Sequence, residues 1–174
     1  VYFHCHIGAD RTGTLAVTSA GYVAINLPSQ LPGPAITGCC MGFGVKVLAA
    51  GSDFMETAKF APCPVIAITD MVEQKAPVAV VDKDDPAAIF FTGGTTGTPK
   101  GAILPHRALM RGALNGVYAP GHQLGCQRYA SVLPLSHVFG LIRGTLSVLY
   151  EGGAWYAAAN TKETISKFPI IKPT

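Results

Sequence analysis

An α/β fold, with layered sheets and flanking helices, is what this chain predicts. Short apolar runs recur along it, among them Tyr22–Leu27, Val65–Ile68 and Pro86–Phe91. Each has the length of a buried strand and is too short for a free-standing helix. Stretches of helical character alternate with these runs, which argues for layers and for at least partly parallel sheets. Composition agrees: 49% of the 174 residues are hydrophobic and only 13% are charged, enough apolar side chain for a proper core.

In chain order, Val1–His4 reads as a strand and Gly13–Ala20 as a short helix stopped by Gly21. Tyr22–Leu27 is the next strand, and Pro28–Pro34 is a loop leading to a helix over Ala35–Gly42. Lys46–Ala49 is a strand, Asp53–Phe60 a helix with Ser52 as its N-cap, and Val65–Ile68 another strand. The acidic run Asp82–Asp85 reads as an exposed linker. Pro86–Phe91 and Ala102–Leu104 are strands on either side of a glycine-rich loop. Leu109–Val117 reads as a helix that Gly112 and Gly116 weaken. Tyr129–Leu133 is a strand, Leu133–Gly140 a turn and Leu141–Leu149 a helix. Gly152–Tyr156 closes as a strand and Thr161–Lys167 as a helix.

Composition also bounds the function. No Asp, Glu, Lys or Arg occurs from Thr12 to Val45, yet Asn26, Pro28, Ser29, Gln30, Pro32, Gly33 and Pro34 break that run. No uninterrupted apolar stretch reaches the roughly 18 to 20 residues of a spanning helix, so the run is protein interior. A net charge of +3 spread along the chain does not argue for nucleic acid. The five cysteines form no CxxC pair, and Cys39 and Cys40 are adjacent. Reduced thiols in a cytoplasmic protein are the simplest account. The first residues lack the charged and apolar segments of a secretory signal. A start at valine and a stop at Pro173-Thr174 give the expectation of a piece of something longer.

The stretch Phe90–Gly101 concentrates the chemistry. Four glycines, four threonines and Lys100 lie between two strands. Glycine lets backbone N–H groups converge on one point and lets a ligand approach without a Cβ in the way. Threonine hydroxyls add donors, and Lys100 adds a compact positive charge. Such a loop suits a polyphosphate. It is not the GxxxxGK[ST] loop, because Pro99 precedes the lysine and Gly101 follows it.

Thr92-Gly93-Gly94-Thr95-Thr96-Gly97-Thr98-Pro99-Lys100-Gly101 instead resembles the phosphate-binding loop of the adenylate-forming superfamily, roughly Thr-Ser-Gly-Thr-Thr-Gly-x-Pro-Lys-Gly. This superfamily includes acyl-CoA synthetases, luciferases and the adenylation domains of peptide synthetases. Of the specified positions only Gly93 departs, standing where serine is usual and removing one hydroxyl. Leu133-Pro134-Leu135-Ser136-His137-Val138-Phe139-Gly140 resembles a second motif of the same superfamily, commonly Leu-Pro-Leu-Phe-His-x-x-Gly, a few dozen residues downstream. Ser136 replaces its usual aromatic. A histidine in an apolar turn more commonly serves structure; at this distance from the phosphate loop it reads as functional.

The resemblance implies a partial N-terminal domain of an adenylate-forming enzyme over residues 15–174. It implies ATP and Mg²⁺, a carboxylic acid substrate, and a thiol acceptor such as CoA. The carboxylate would attack the α-phosphorus, pyrophosphate would leave, and the thiol would then take the acyl group. Thr92 to Thr98, Lys100 and Gly101 would hold the phosphates. Lys100 would offset charge on the departing pyrophosphate, and His137 would sit beside the carboxylate, with Phe139 and Gly140 shaping the acyl pocket. A Tyr-Gly-x-Thr-Glu segment, a ribose-binding Thr-Gly-Asp segment and a C-terminal domain with its lysine are missing. The expectation is a fragment inactive alone, whose partner is the remainder of its parent chain.

A competing signature occupies residues 1–14. His4-Cys5-His6-Ile7-Gly8-Ala9-Asp10-Arg11-Thr12-Gly13 fits the tyrosine-phosphatase pattern His-Cys-x-x-Gly-x-x-Arg-[Ser/Thr]-Gly. A strand would deliver Cys5 to a loop whose N–H groups lower the thiol pKa, and Arg11 would grip two phosphate oxygens. That fold also needs strands and a general-acid aspartate upstream, and only four residues precede Cys5. A cysteine phosphatase or an inactive remnant is therefore the alternative expectation. His4 and His6 alone make a poor metal site.

Overall fold

The computed structural model describes residues 2–3, 17–28, 31–70, 78–92, 100–118, 127–156 and 161–174. The chain divides into two compact units, Val1–Pro105 and His106–Thr174.

The first unit is built on a four-stranded sheet of order β1 (Tyr2–Phe3), β2 (Val23–Ile25), β5 (Pro86–Thr92) and β6 (Lys100–Pro105). β1, β2 and β5 run parallel, and β6 returns antiparallel to β5. Ala87, Ala88, Ile89 and Phe90 are all buried, so β5 is covered on both faces, as its unbroken apolar run requires. The Asp82–Asp85 linker is a hydrogen-bonded turn. Asp82 N donates to Asp85 Oδ2 at 2.8 Å, and Asp84 N donates to Asp82 Oδ1 at 2.9 Å, just before β5 begins.

β3 (Leu48–Ala50) and β4 (Val65–Ala67) form a second, parallel pair. Helix α1 (Gly33–Gly42) begins with proline in its first turn and ends on Gly44 at φ +61°. Gly44 N donates to Met41 O and Val45 N to Cys40 O, the paired bonds of a glycine-terminated helix. Ile25, Leu27, Ile36, Cys39, Cys40, Val45, Leu48, Ala50, Ala58 and Ile89 make the core of this unit.

Expectation and structure part at residues 52–60. Ser52 is not an N-cap: it opens a 3-10 turn, Ser52–Phe54, and its Oγ bonds Asp53 Oδ1. Only Met55–Ala58 (α2) is α-helical. Beyond the helix, Phe60 stays more than half exposed yet is tied to α1. Its ring lies over Gly33, where any Cβ would collide with it, and its carbonyl accepts a 2.6 Å hydrogen bond from Thr37 Oγ1.

In the second unit, α3 (His106–Val117) buries Leu109, Ala113, Gly116 and Val117 along one face. Gly112 and Gly116 do not weaken it in context; they are where it packs. A Cβ on Gly112 would lie 2.6 Å from Ile142 Cγ2, and one on Gly116 would lie 2.9 Å from Ser147 Cβ. Two small residues four apart make a flat track against which a second helix runs. That second helix starts earlier than its sequence suggests, as α4 (Val138–Leu141), continues as a π-helical segment, Ile142–Leu146, and ends as α5 (Ser147–Tyr150).

Strand β7 is also shorter than expected, Arg128–Ala130, and pairs in parallel with β8 (Ala154–Tyr156). α6 (Thr161–Ser166) is followed by an unanticipated short helix, α7 (Phe168–Ile171), with Pro169 in its first turn. Thr174 then bonds to both backbone groups of Arg128. Among the described residues no helix is long and apolar enough to cross a membrane.

Candidate functional site

The sequence points to two places, and each lies in its own unit. In the first unit, β5 and β6 bring Thr92 opposite Lys100 and Phe91 opposite Gly101. Thr92 Oγ1 donates to Lys100 O at 3.2 Å. The two ends of the glycine-threonine stretch are therefore paired backbone to backbone, with Thr92 and Lys100 both exposed. Gly93, Gly94, Thr95, Thr96, Gly97, Thr98 and Pro99 lie outside the described residues. Lys59 pairs with Glu56, and no described carboxylate pairs with the Lys100 ammonium.

The floor beneath this hairpin explains why glycine follows the lysine. A Cβ on Gly101 would lie 2.5 Å from Phe43 Cζ and 2.9 Å from Ile89 Cγ2. The Phe43 ring covers bare backbone there and meets the Phe91 ring edge to face, with centroids 5.5 Å apart at 80°. Phe43 closes α1 just before its terminal Gly44. The helix end and the hairpin base are thus locked by one aromatic ring. Sequence reasoning missed Phe43; the aromatic beside a helix-ending glycine was its only signal.

In the second unit His137 is the N-cap of α4. Its Nδ1 accepts the Phe139 N–H at 3.2 Å, its own N–H donates to Pro134 O at 3.0 Å, and its carbonyl accepts from Leu141 N at 3.1 Å. With Nδ1 used as an acceptor, the neutral ring carries its proton on Nε2. The imidazole is exposed, beside exposed Leu133, Val138 and Phe139. Gly140 has a structural duty: a Cβ there would strike the Pro134 carbonyl oxygen. Ser136 is half-buried.

Behind this turn, Thr145 and Ser147 are almost wholly buried, at 0% and 2% exposure. Thr145 Oγ1 bonds Gly140 O at 3.2 Å, and Ser147 Oγ is shared between Ile142 O at 3.2 Å and Ala113 O at 2.9 Å. Each hydroxyl reaches a carbonyl five residues back, which suits the wider π-helical turn between them. Neither residue was expected from the sequence; two hydroxyls inside an apolar helix were the available clue.

Thr92, Lys100 and Gly101 are thus brought together at the hairpin base, while His137 belongs to the other unit. Cys5 and Arg11 lie outside the described residues. Cys39, Cys40 and Cys63 are free thiols. Burial, with the neighbouring Cys63 and Cys39 adding to it, pushes the Cys40 thiol up to about 12. Among the described residues no group of three or more His, Cys, Asp or Glu is placed to hold a metal ion.

Comparison with known proteins bears on both motifs at once. A model of the AMP-binding enzyme family matches residues 12–170. 4-Coumarate–CoA ligase 2 of Oryza sativa subsp. japonica is 38% identical over 90 residues, covering 50% of this chain and 16% of that protein. Nonribosomal peptide synthetase 9 of Aspergillus fumigatus is 31% identical over 147 residues, covering 80% of this chain and 12% of that protein. The solved o-succinylbenzoate CoA synthetase of Bacillus subtilis, in complex with its acyl-adenylate intermediate, shares the fold. It superposes with a TM-score of 0.84 at 17% identity, covering 99% of this chain and 47% of that one. The chain thus spans under half of that synthetase and under a fifth of the two relatives. A match that starts at residue 12 and runs through both the glycine-threonine stretch and the His137 turn places this chain in the AMP-binding enzyme family.

Proposed function

We propose that this chain contributes the phosphate-binding and acyl-activating part of an ATP-dependent acid–thiol ligase. In the reaction a carboxylate oxygen attacks the α-phosphorus of ATP, the bond to pyrophosphate breaks, and an acyl-adenylate remains. A thiol such as CoA then attacks the acyl carbon, and AMP leaves. Residues 15–174 are the partial catalytic domain in this reading, and residues 1–14 precede it. The free thiols agree with work in the cytoplasm.

The observation that carries the proposal is the hairpin base. Pairing Thr92 with Lys100 fixes both ends of the stretch that the family uses for phosphate, and it leaves the ammonium exposed beside them. Main-chain N–H groups of residues 93–98 and the threonine hydroxyls would take phosphate oxygens, and Lys100 would balance the charge growing on pyrophosphate as it departs. Mg²⁺ would bridge the nucleotide's phosphates. His137, with Nδ1 committed to its helix, would turn an Nε2–H donor toward the carboxylate or the adenylate it becomes.

Titration calorimetry with ATP tests the phosphate half. The chain should bind ATP, and Lys100→Ala should weaken binding about tenfold, the loss of one charge-assisted contact. Equal affinity in both proteins would remove Lys100 from the site. Pyrophosphate exchange driven by carboxylic acids, measured on the chain within its full coding sequence, tests the acyl half. No exchange with any acid would sink the ligase reading.

A further inference from the structure

The peptide plane joining Gly140 to Leu141 is held at both ends. Its oxygen accepts from Thr145 Oγ1 at 3.2 Å, and its N–H donates to the carbonyl of His137 at 3.1 Å. One residue earlier, the Phe139 N–H is the donor that His137 Nδ1 accepts. Gly140 itself is pressed against the Pro134 carbonyl, the same oxygen that accepts the His137 N–H. Every tie on the imidazole and its backbone therefore runs through the short turn between Pro134 and Leu141. The side chain that ties that turn to the next turn of the same helix is Thr145, which is fully buried and sits in the π-helical segment.

We propose that Thr145 is a positioning residue for His137, holding the first turn of α4 so that the imidazole keeps Nδ1 on the Phe139 N–H and its proton on Nε2. The proposal rests on the reading of His137 as part of the acyl-activating site, but its geometry stands without a nucleotide. A threonine in an ordinary α-turn would return its hydroxyl to a carbonyl three or four residues back. The π-helical turn lets this one reach five back, to the carbonyl that belongs to the histidine's own turn. A carbonyl released from that bond would be left in a buried setting, and the turn would shift to satisfy it. The ring's tautomer is the first property such a shift would alter, because it is set by a single bond.

The test uses the 174-residue chain labelled with ¹⁵N-histidine, at a pH well above the ordinary imidazole range, with His137→Gln assigning the signals. In the unsubstituted chain the two His137 nitrogens should lie far apart in shift, Nε2 as the protonated one. Thr145→Val should draw the two shifts together, as the tautomers mix, and Thr145→Ser should restore the separation. A Thr145→Val protein that keeps the full separation would overturn the proposal, even if it melts at a lower temperature, and so would a serine variant that fails to restore it. Should the valine variant not fold, Thr145→Cys supplies a similar volume with a weaker donor. Reduced separation there supports the role, and an unchanged one refutes it. Because no ATP is present, a failure of the ligase reading leaves this outcome untouched, and the reverse also holds.

Discussion

The hairpin base and the His137 turn are each closed by a glycine, but different neighbours close them in. At Gly101 the neighbours are side chains, the packed Phe43 ring and Ile89 Cγ2. At Gly140 the neighbour is the Pro134 carbonyl, part of a backbone already bonded to His137 N. An added methyl would press on side chains in the first arrangement and on backbone in the second. A packed side chain can shift further than a bonded backbone carbonyl, so the hairpin base should adjust more readily than the histidine turn.

The largest expected effect breaks the rigid member of this pair. Gly140→Ala puts a methyl into a backbone carbonyl, so either the Pro134–His137 bond or the start of α4 must give way. A loss of about 3 kcal/mol or more is expected, at the upper end for one added carbon in a packed site. Denaturant unfolding measures it, and amide exchange should show the loss in residues 134–150. A cost below about 1 kcal/mol would mean that the turn relaxes as readily as the hairpin base.

Next in size is Gly101→Ala, expected to cost about 1 to 2 kcal/mol because the packed Phe43 ring can shift further than a backbone carbonyl. The double variant with Phe43→Leu should recover part of that loss, since the smaller side chain vacates the space the methyl needs. Strict additivity of the two changes would show that Phe43 and Gly101 do not share the site. ATP affinity in the same variants sharpens the comparison, because a shift of the Lys100 backbone should register there even when stability is partly restored.

His137→Ala should cost about 1 kcal/mol through loss of the cap, and His137→Asn should restore it, asparagine being a strong N-cap. The asparagine variant separates two roles that coincide in this residue. If it is stable and still supports pyrophosphate exchange at the full rate, His137 is a cap and nothing more. A stable but inactive variant assigns the imidazole to the chemistry.

How much of this was legible beforehand follows the same division. The strands at Val23–Ile25, Leu48–Ala50, Val65–Ala67 and Pro86–Thr92 announce themselves as short apolar runs, and the glycine-threonine stretch is a local pattern with a local meaning. The fold class and the family therefore came through. What did not come through depends on partners distant in sequence. Ser52 has the chemistry of a cap, but it opens a 3-10 turn, and Phe60, beyond the short helix, lies against Gly33. Gly112 and Gly116 look like helix breakers until Ile142 and Ser147 lie against them. The roles of Phe43 and Thr145 exist only once α1 meets the hairpin and the π-helical segment forms. Propensity reads single residues; these are properties of pairs.

The smallest effect is silent at neutral pH and appears only in alkali. Cys40 sits in the core of the first unit, and burial, reinforced by Cys63 and Cys39, raises its thiol from 9.0 to about 12. Cys39 is raised by burial as well, whereas in the second unit the group raised by burial is Tyr129. A thiol whose folded pKa lies above its unfolded one favours the folded state fully below the unfolded value. That contribution is lost as pH climbs from about 9 toward 12, because the unfolded chain ionises first. Melting temperature should therefore fall with pH across this window, and the fall should be shallower in Cys40→Ala than in the unsubstituted chain once their neutral-pH difference is subtracted. Amide exchange at about pH 9 and pH 10 should place the extra loosening in residues 33–67 rather than in 106–150, since the buried thiols belong to the first unit. Equal slopes in the two proteins would mean that water already reaches Cys40, and the core of the first unit would then be looser than its packing implies.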